Sequence, residues 1–160
     1  MEDRSYMSIL ILRFDIEGEG TDRQILQDLV DSPQFDYSFL SPFPDKVTQE
    51  SAGTHARWRL NCIAADSFQK CRPERASEVI RAWAEDQAWM ASRPPKPPEV
   101  KQRLRDTYAL LHTGHLYELQ NPGPECEHEV AWIVGSGGFH EFVSIDRSRR
   151  EVTLIAAYDD

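Results

Sequence analysis

The stretch from Val130 to Tyr158 constrains the fold more than any other. Short apolar runs alternate there with turn formers, at Gly135-Ser136-Gly137-Gly138 and again at Asp146-Arg147-Ser148-Arg149-Arg150-Glu151. Glycine, serine and aspartate supply the backbone freedom that tight turns need, so the stretch reads as a three-stranded antiparallel meander. Successive side chains on a strand point to opposite faces. Phe139, Glu141, Val143 and Ile145 therefore share one face, and Val152, Leu154, Ala156 and Tyr158 can share it with them. With each turn centred on its middle residues, Glu141 falls between Trp132 and Ala156. A carboxylate on an apolar face needs a partner, because its desolvation is costly. Trp132 could donate its indole N–H; an arginine, a sheet-end position or a one-residue slip of register are the alternatives. A buried, partnered carboxylate is also a candidate general acid or base. His140 projects from the opposite face and cannot pair with Glu141 on a regular strand.

The 160 residues fit one domain with a core of its own. Tyr6 to Ile16 reads as a strand that is apolar on both faces, which predicts a place inside the sheet. A helix follows. Thr21 can cap it, Gln24 completes a capping box, and Ile25, Leu26, Leu29 and Val30 form its apolar stripe until Ser32-Pro33 ends it. Phe35 to Leu40 reads as a short strand. Thr54 to Ala64 reads as a longer one, with Ala56, Trp58, Leu60 and Cys62 inward and His55, Arg57, Arg59 and Asn61 facing water. Pro73 opens a second helix reaching about Ala91, with Val79, Ile80 and Trp83 on its buried side. Trp89 lies off that stripe, either covered by Pro94-Pro95-Lys96-Pro97-Pro98 or free to anchor a partner. A third helix starts at Pro98 and Glu99, buries Val100, Leu104, Tyr108 and Leu111, and stops at Gly114. Leu116 to Leu119 reads as a short strand.

Acidic residues outnumber basic ones by 27 to 18, a net charge of −9. That balance argues against a general nucleic-acid or anionic-membrane binder and leaves room for a basic protein partner. No apolar run reaches membrane-spanning length, and Met1-Glu2-Asp3-Arg4 does not resemble a secretion signal. The three cysteines, Cys62, Cys71 and Cys126, include no C-x-x-C pair, which is read as free thiols in a cytoplasmic protein.

Four patterns carry possible chemistry. The loop Asp15 to Asp22 approaches a dinucleotide fingerprint through Gly18 and Gly20, but Arg23 replaces the third glycine, and Glu19 and Asp22 would repel a pyrophosphate. The same loop approaches a calcium loop, but the required twelfth-position glutamate is Leu26. Its acids are expected simply to favour the positive end of the helix. Four of the five histidines fall between residues 112 and 140. His112, His115, Cys126 and His128 are zinc-competent ligands at irregular spacing, so zinc is the one metal to weigh; otherwise no cofactor is expected. Ser136 lacks the glycine and the following helix that a nucleophile elbow needs. Arg147, Arg149 and Arg150 form a basic tip that could meet a phosphate or an acidic partner, or face water in a hairpin turn.

The reading is a single α+β domain over residues 1–160, with a mainly antiparallel sheet of five to seven strands, the C-terminal meander, and three helices packed on it. In size, acidity and class alone, with no motif behind it, the chain resembles toxin-neutralising immunity proteins of bacteria. That resemblance implies a non-catalytic protein acting by protein–protein contact. The alternative is a small, metal-assisted enzyme using Glu141 as general acid or base.

Overall fold

A mixed core is built around one antiparallel sheet in the computed structural model, which describes residues 7–37, 39, 53–85, 95–129, 131 and 138–159. The main sheet has five strands: β1 (Met7–Asp15), β4 (Phe68–Lys70), β5 (His115–Leu119), β6 (Phe139–Asp146) and β7 (Glu151–Asp159). Their order is β1-β7-β6-β5-β4, and every pairing is antiparallel. A separate two-stranded hairpin joins β2 (Thr54–His55) to β3 (Trp58–Arg59). The described residues also form three α-helices: α1 (Asp22–Asp31), α2 (Pro73–Glu85) and α3 (Pro98–Leu111). The α+β class and the antiparallel sheet match the sequence reading. No helix among the described residues is long and apolar enough to cross a membrane.

The helices divide between the two faces of the sheet. On one face, Ala76, Ile80, Trp83 and Ala84 of α2 and Leu111 of α3 pack against Leu116, Phe142, Ile155 and Ala157. The Arg81 guanidinium lies over the Tyr108 ring, 5.3 Å from its centre, and joins α2 to α3. On the other face, Ile25, Leu26, Leu29 and Val30 of α1 pack with Phe35, Phe39 and Trp58 against Val143, Ile145, Val152, Leu154 and Ala156. The α1 stripe and its capping box are those read from the sequence: Thr21 Oγ1 accepts the Gln24 N–H while Gln24 Oε1 accepts the Thr21 N–H. Alternation along β6 and β7 also holds. Glu141, Val143 and Ile145 face α1, whereas Phe142 faces α2 and α3.

Several expectations need correction. β1 lies at the edge of the sheet, paired with β7 alone among the described strands, and Ile11 is 36% exposed. Its apolar second face is only half-covered by the second core cluster, so apolarity on both faces did not imply a central position. The proposed first strand of the meander and Trp132 lie outside the described residues, except Ala131, which sits in a turn. Among the described residues β6 lies between β7 and β5, and β5 pairs with it over Phe142 to Ile145. The second expected turn is present, with β6 ending at Asp146 and β7 starting at Glu151. Phe35 closes a 3-10 turn and does not start a strand. The strand expected over Thr54 to Ala64 is the β2–β3 hairpin followed by a 3-10 turn at Leu60–Cys62. Ala56 adopts a left-handed φ of 50° there, which reverses the chain and breaks the alternation. Trp89 and the end of the second expected helix fall outside the described residues.

Gly114 stops α3 as expected, with φ at 60°. It also lets β5 start against β6, because a Cβ at this position would overlap the Ile145 carbonyl. Gly114→Ala is therefore expected to lose at least about 2 kcal/mol of stability, from the left-handed strain plus the collision. Urea denaturation of the two proteins measures it; an unchanged midpoint would contradict this placement of the glycine.

Candidate functional site

Glu141 is buried as its pattern implied, at 1% exposure, and it faces Ala156 across the β6–β7 ladder. Its partner is His55, a residue expected to face water. The β2–β3 hairpin folds over the α1 face of the sheet, and the left-handed Ala56 beside His55 overrides the alternation that would have exposed it. His55 Nε2 lies 2.6 Å from Glu141 Oε2, and His55 Nδ1 lies 2.6 Å from the Phe35 carbonyl. A carbonyl oxygen can only accept, so Nδ1 carries a proton and donates it to Phe35. Nε2 and Oε2 hydrogen-bond to each other across that distance. The other carboxylate oxygen, Oε1, has no hydrogen-bond partner among the described residues.

Aromatic rings enclose the pair. Phe35 stacks flat on the imidazole, with ring centres 3.6 Å apart and planes 4° apart. Phe39 meets the imidazole edge-on at 5.3 Å and also contacts Phe139 and Tyr158 at 5.4 and 5.1 Å. His55 is itself 1% exposed. A chain of contacts thus runs from the Phe35 carbonyl through His55 to the centre of β6. Its chemistry is that of a lock: it joins the segment after α1 and the β2–β3 hairpin to the sheet through two short hydrogen bonds in a dry environment. Both residues are 1% exposed.

A second polar cluster lies at the surface. The Asp22 carboxylate, in the first turn of α1, accepts hydrogen bonds from His115 Nδ1 at 2.6 Å, from the Tyr117 hydroxyl at 2.6 Å and from Arg147 at 2.6 and 3.2 Å. Desolvation opposes its ionisation, but the bonds from Tyr117, His115 and Arg147 together outweigh it and hold its pKa at about 2. Burial, followed by the bond to Asp22, pushes the Tyr117 hydroxyl up to about 12. The cluster ties the N-terminus of α1 to β5 and to the β6–β7 turn. Arg150 adds to the tie by donating to the Ile16 and Gly18 carbonyls at 2.9 and 3.1 Å.

The other expected site residues do not assemble. Cys126 forms a disulfide with Cys62, their Cα atoms 5.9 Å apart, which corrects the reading of free thiols and removes Cys126 as a ligand. His115 is turned to Asp22, and His128 Nε2 bonds the Ala56 carbonyl at 2.7 Å. His112 caps the C-terminus of α3 through its backbone N–H. Among the described residues no group of three or more His, Cys, Asp or Glu side chains could hold a metal ion, so the four expected zinc ligands do not form one site. Of the basic tip, Arg147 and Arg150 are committed to the β1–α1 loop, and Arg149 is paired with Asp146 at 3.8 Å. His140 is half-buried on the opposite face from Glu141, and burial lowers its pKa. The sequence held one signal for His55 that the alternation obscured: a buried acid requires a donor, and His55 is the only histidine outside the 112–140 stretch. Asp22 was legible only as a helix-start acid; its three donors come from far along the chain.

Two outcomes follow. Removing one member of the buried pair, as in His55→Phe, strands a carboxylate in the core, and Glu141→Leu strands the imidazole. Each is expected to cost about 3–5 kcal/mol by chemical denaturation. A loss below about 1 kcal/mol in both would contradict burial of the pair. For Asp22, the folded pKa of about 2 lies below the ordinary aspartate value of 3.8, so its contribution is present above pH 4 and is lost as pH falls towards 2. Thermal melts across that window are expected to fall less steeply for Asp22→Asn than for the parent protein.

No family model matches the chain, and no curated protein matches it. Two crystal forms of citrus MAF1 are similar to it at 11% identity. One has a TM-score of 0.45 and covers 96% of this chain and 90% of that one. The other has a TM-score of 0.43 and covers 95% and 85%, and likenesses of this size carry no argument about what the protein does.

Proposed function

We propose that the protein is a non-catalytic binding protein that contacts a basic protein partner through its acidic surface. The observation that carries this reading is the enclosure of Glu141. The strongest catalytic candidate in the sequence is 1% exposed and bonded to an equally buried histidine beneath aromatic rings. The enzymic alternative, with Glu141 as a metal-assisted acid or base, finds no support in that geometry.

A cleft of about 1050 Å³ offers a face for such contact, with Asp31, Asp36, Arg59, Asn61, His128 and Glu129 along its walls. Asp31 ends α1, whose last turn holds no basic residue. A carboxylate at the negative end of a helix dipole is unfavourable in the free protein and would be relieved by an incoming cation. Arg59, the one guanidinium on these walls among the described residues, is directed to the Glu125 carbonyl at 3.2 Å. The net charge of −9 points the same way and would speed encounter with a basic partner. An immunity-like role, neutralising a basic toxin in a bacterial cytoplasm, is the specific form of this reading. The disulfide bears on that compartment, because a cytoplasmic disulfide is usually a reversible one.

A pull-down from cell lysate at low and moderate salt tests the reading. We expect a basic protein to be retained at low salt, and its affinity to fall about tenfold or more in an Asp31→Lys, Glu129→Lys double variant. The absence of any retained partner at either salt would contradict it.

A further inference from the structure

We propose that the Cys62–Cys126 disulfide is a reversible redox latch on one wall of the acidic cleft; its effect on binding rests on the function proposed above. The bond joins two segments separated by 64 residues in sequence. Both segments line the cleft: Arg59, Leu60, Asn61 and Ile63 flank Cys62, and His128 and Glu129 follow Cys126. The latch therefore joins two segments that line the cleft.

Its position makes opening local. Neither cysteine lies in the five-stranded sheet; they end 3-10 turns at Leu60–Cys62 and Pro124–Cys126. No ladder of that sheet passes through either turn, and the His55–Glu141 pair lies on the other side of the β2–β3 hairpin from Cys62 in sequence. Besides the disulfide, polar contacts also join the two segments. Arg57 pairs with Glu127 at 3.0 Å, and Trp58 forms an isolated bridge to Glu127. The His128 N–H donates to the Arg57 carbonyl at 3.2 Å, His128 Nε2 bonds the Ala56 carbonyl at 2.7 Å, and Arg59 reaches the Glu125 carbonyl at 3.2 Å. The solvent-reached members of this set, Arg57–Glu127 and Arg59–Glu125, hold weakly once the covalent tie is cut. Both sulfurs belong to half-buried residues, within reach of a small reductant. The third thiol does not compete. Cys71 packs against the core on the α2 face, and burial pushes its pKa up, away from the thiolate form.

The exchange balances with a dithiol as the reductant. Its thiolate attacks one cysteine sulfur, the S–S bond breaks, and the departing cysteine takes a proton. The second thiol of the reductant then displaces the remaining cysteine, which is also protonated. Cys62 and Cys126 end as thiols, and the dithiol ends as a disulfide.

Four readouts on the full chain test this, with and without dithiothreitol. Native alkylation followed by mass spectrometry should label Cys71 alone in the oxidised protein, and Cys62 and Cys126 as well after reduction. Cleavage by a glutamate-specific protease at Glu125, Glu127 and Glu129 should become about tenfold faster on reduction, while far-UV circular dichroism stays unchanged. Hexalysine should bind the oxidised form at least about fivefold more tightly. A Cys62→Ser, Cys126→Ser double variant should behave as the reduced protein whatever the reductant. Labelling of all three cysteines without reductant, an unchanged cleavage rate, or loss of the dichroism signal on reduction would each overturn the latch. Opening with equal hexalysine affinity in both states would overturn its control of the cleft and leave the binding reading standing. Opening with no hexalysine binding in either state would support the latch and overturn the acidic-cleft reading.

Discussion

The hydrogen bond between His55 and Glu141 is the interaction on which the α1 face of this protein depends. Among the described residues, the segment after α1 and the β2–β3 hairpin contribute no strand to the main sheet, so no described ladder of that sheet holds them there. They are held by the burial of Phe35, Phe39, Ala56 and Trp58 and by one buried ionisable pair. Apolar burial is non-directional and would tolerate several placements of a short hairpin. The pair is directional: it demands that His55 reach the middle of β6 while its other nitrogen meets the Phe35 carbonyl. An ion pair of this kind adds little net stability over a well-packed apolar substitute, and its value lies in selecting one arrangement.

The same division of labour appears on the exposed side of α1. Asp22 gathers His115, Tyr117 and Arg147, which lie 93, 95 and 125 residues away in sequence, at the start of the helix. The negative carboxylate suits the positive end of α1, and its three donors fix how that end sits against β5 and the β6–β7 turn. One polar cluster thus orients the start of α1 and another locks down the segment that follows its end, while the apolar stripe between them supplies the burial. This explains why residues that looked like chemistry in the sequence, His115, Arg147 and Arg150, are found tying elements together.

Local patterns were legible in the sequence wherever one element determines its own geometry. The capping box and stripe of α1, the stop at Gly114, the hairpin turn at residues 146–151 and the facing of Glu141 to Ala156 all follow from period and turn chemistry. What escaped depends on long-range competition. β1 looked central because its pattern is apolar on both sides, yet position in a sheet is decided by which strand pairs with which. His55 looked exposed because alternation was carried through Ala56, a residue with nothing in its identity to announce a left-handed φ. The Cys62–Cys126 bond joins turns far apart in the chain, and spacing alone could not choose it.

A double-mutant cycle on His55 and Glu141 tests the central claim most directly. His55→Phe, Glu141→Leu and the combined variant would be compared with the parent by urea denaturation. If the pair is a buried lock, each single change strands one unpaired polar group, and the combined apolar variant recovers most of the loss, with a coupling energy of about 4 kcal/mol or more. Losses that simply add, within about 0.5 kcal/mol, would show that the two residues do not act as a unit and would contradict the account.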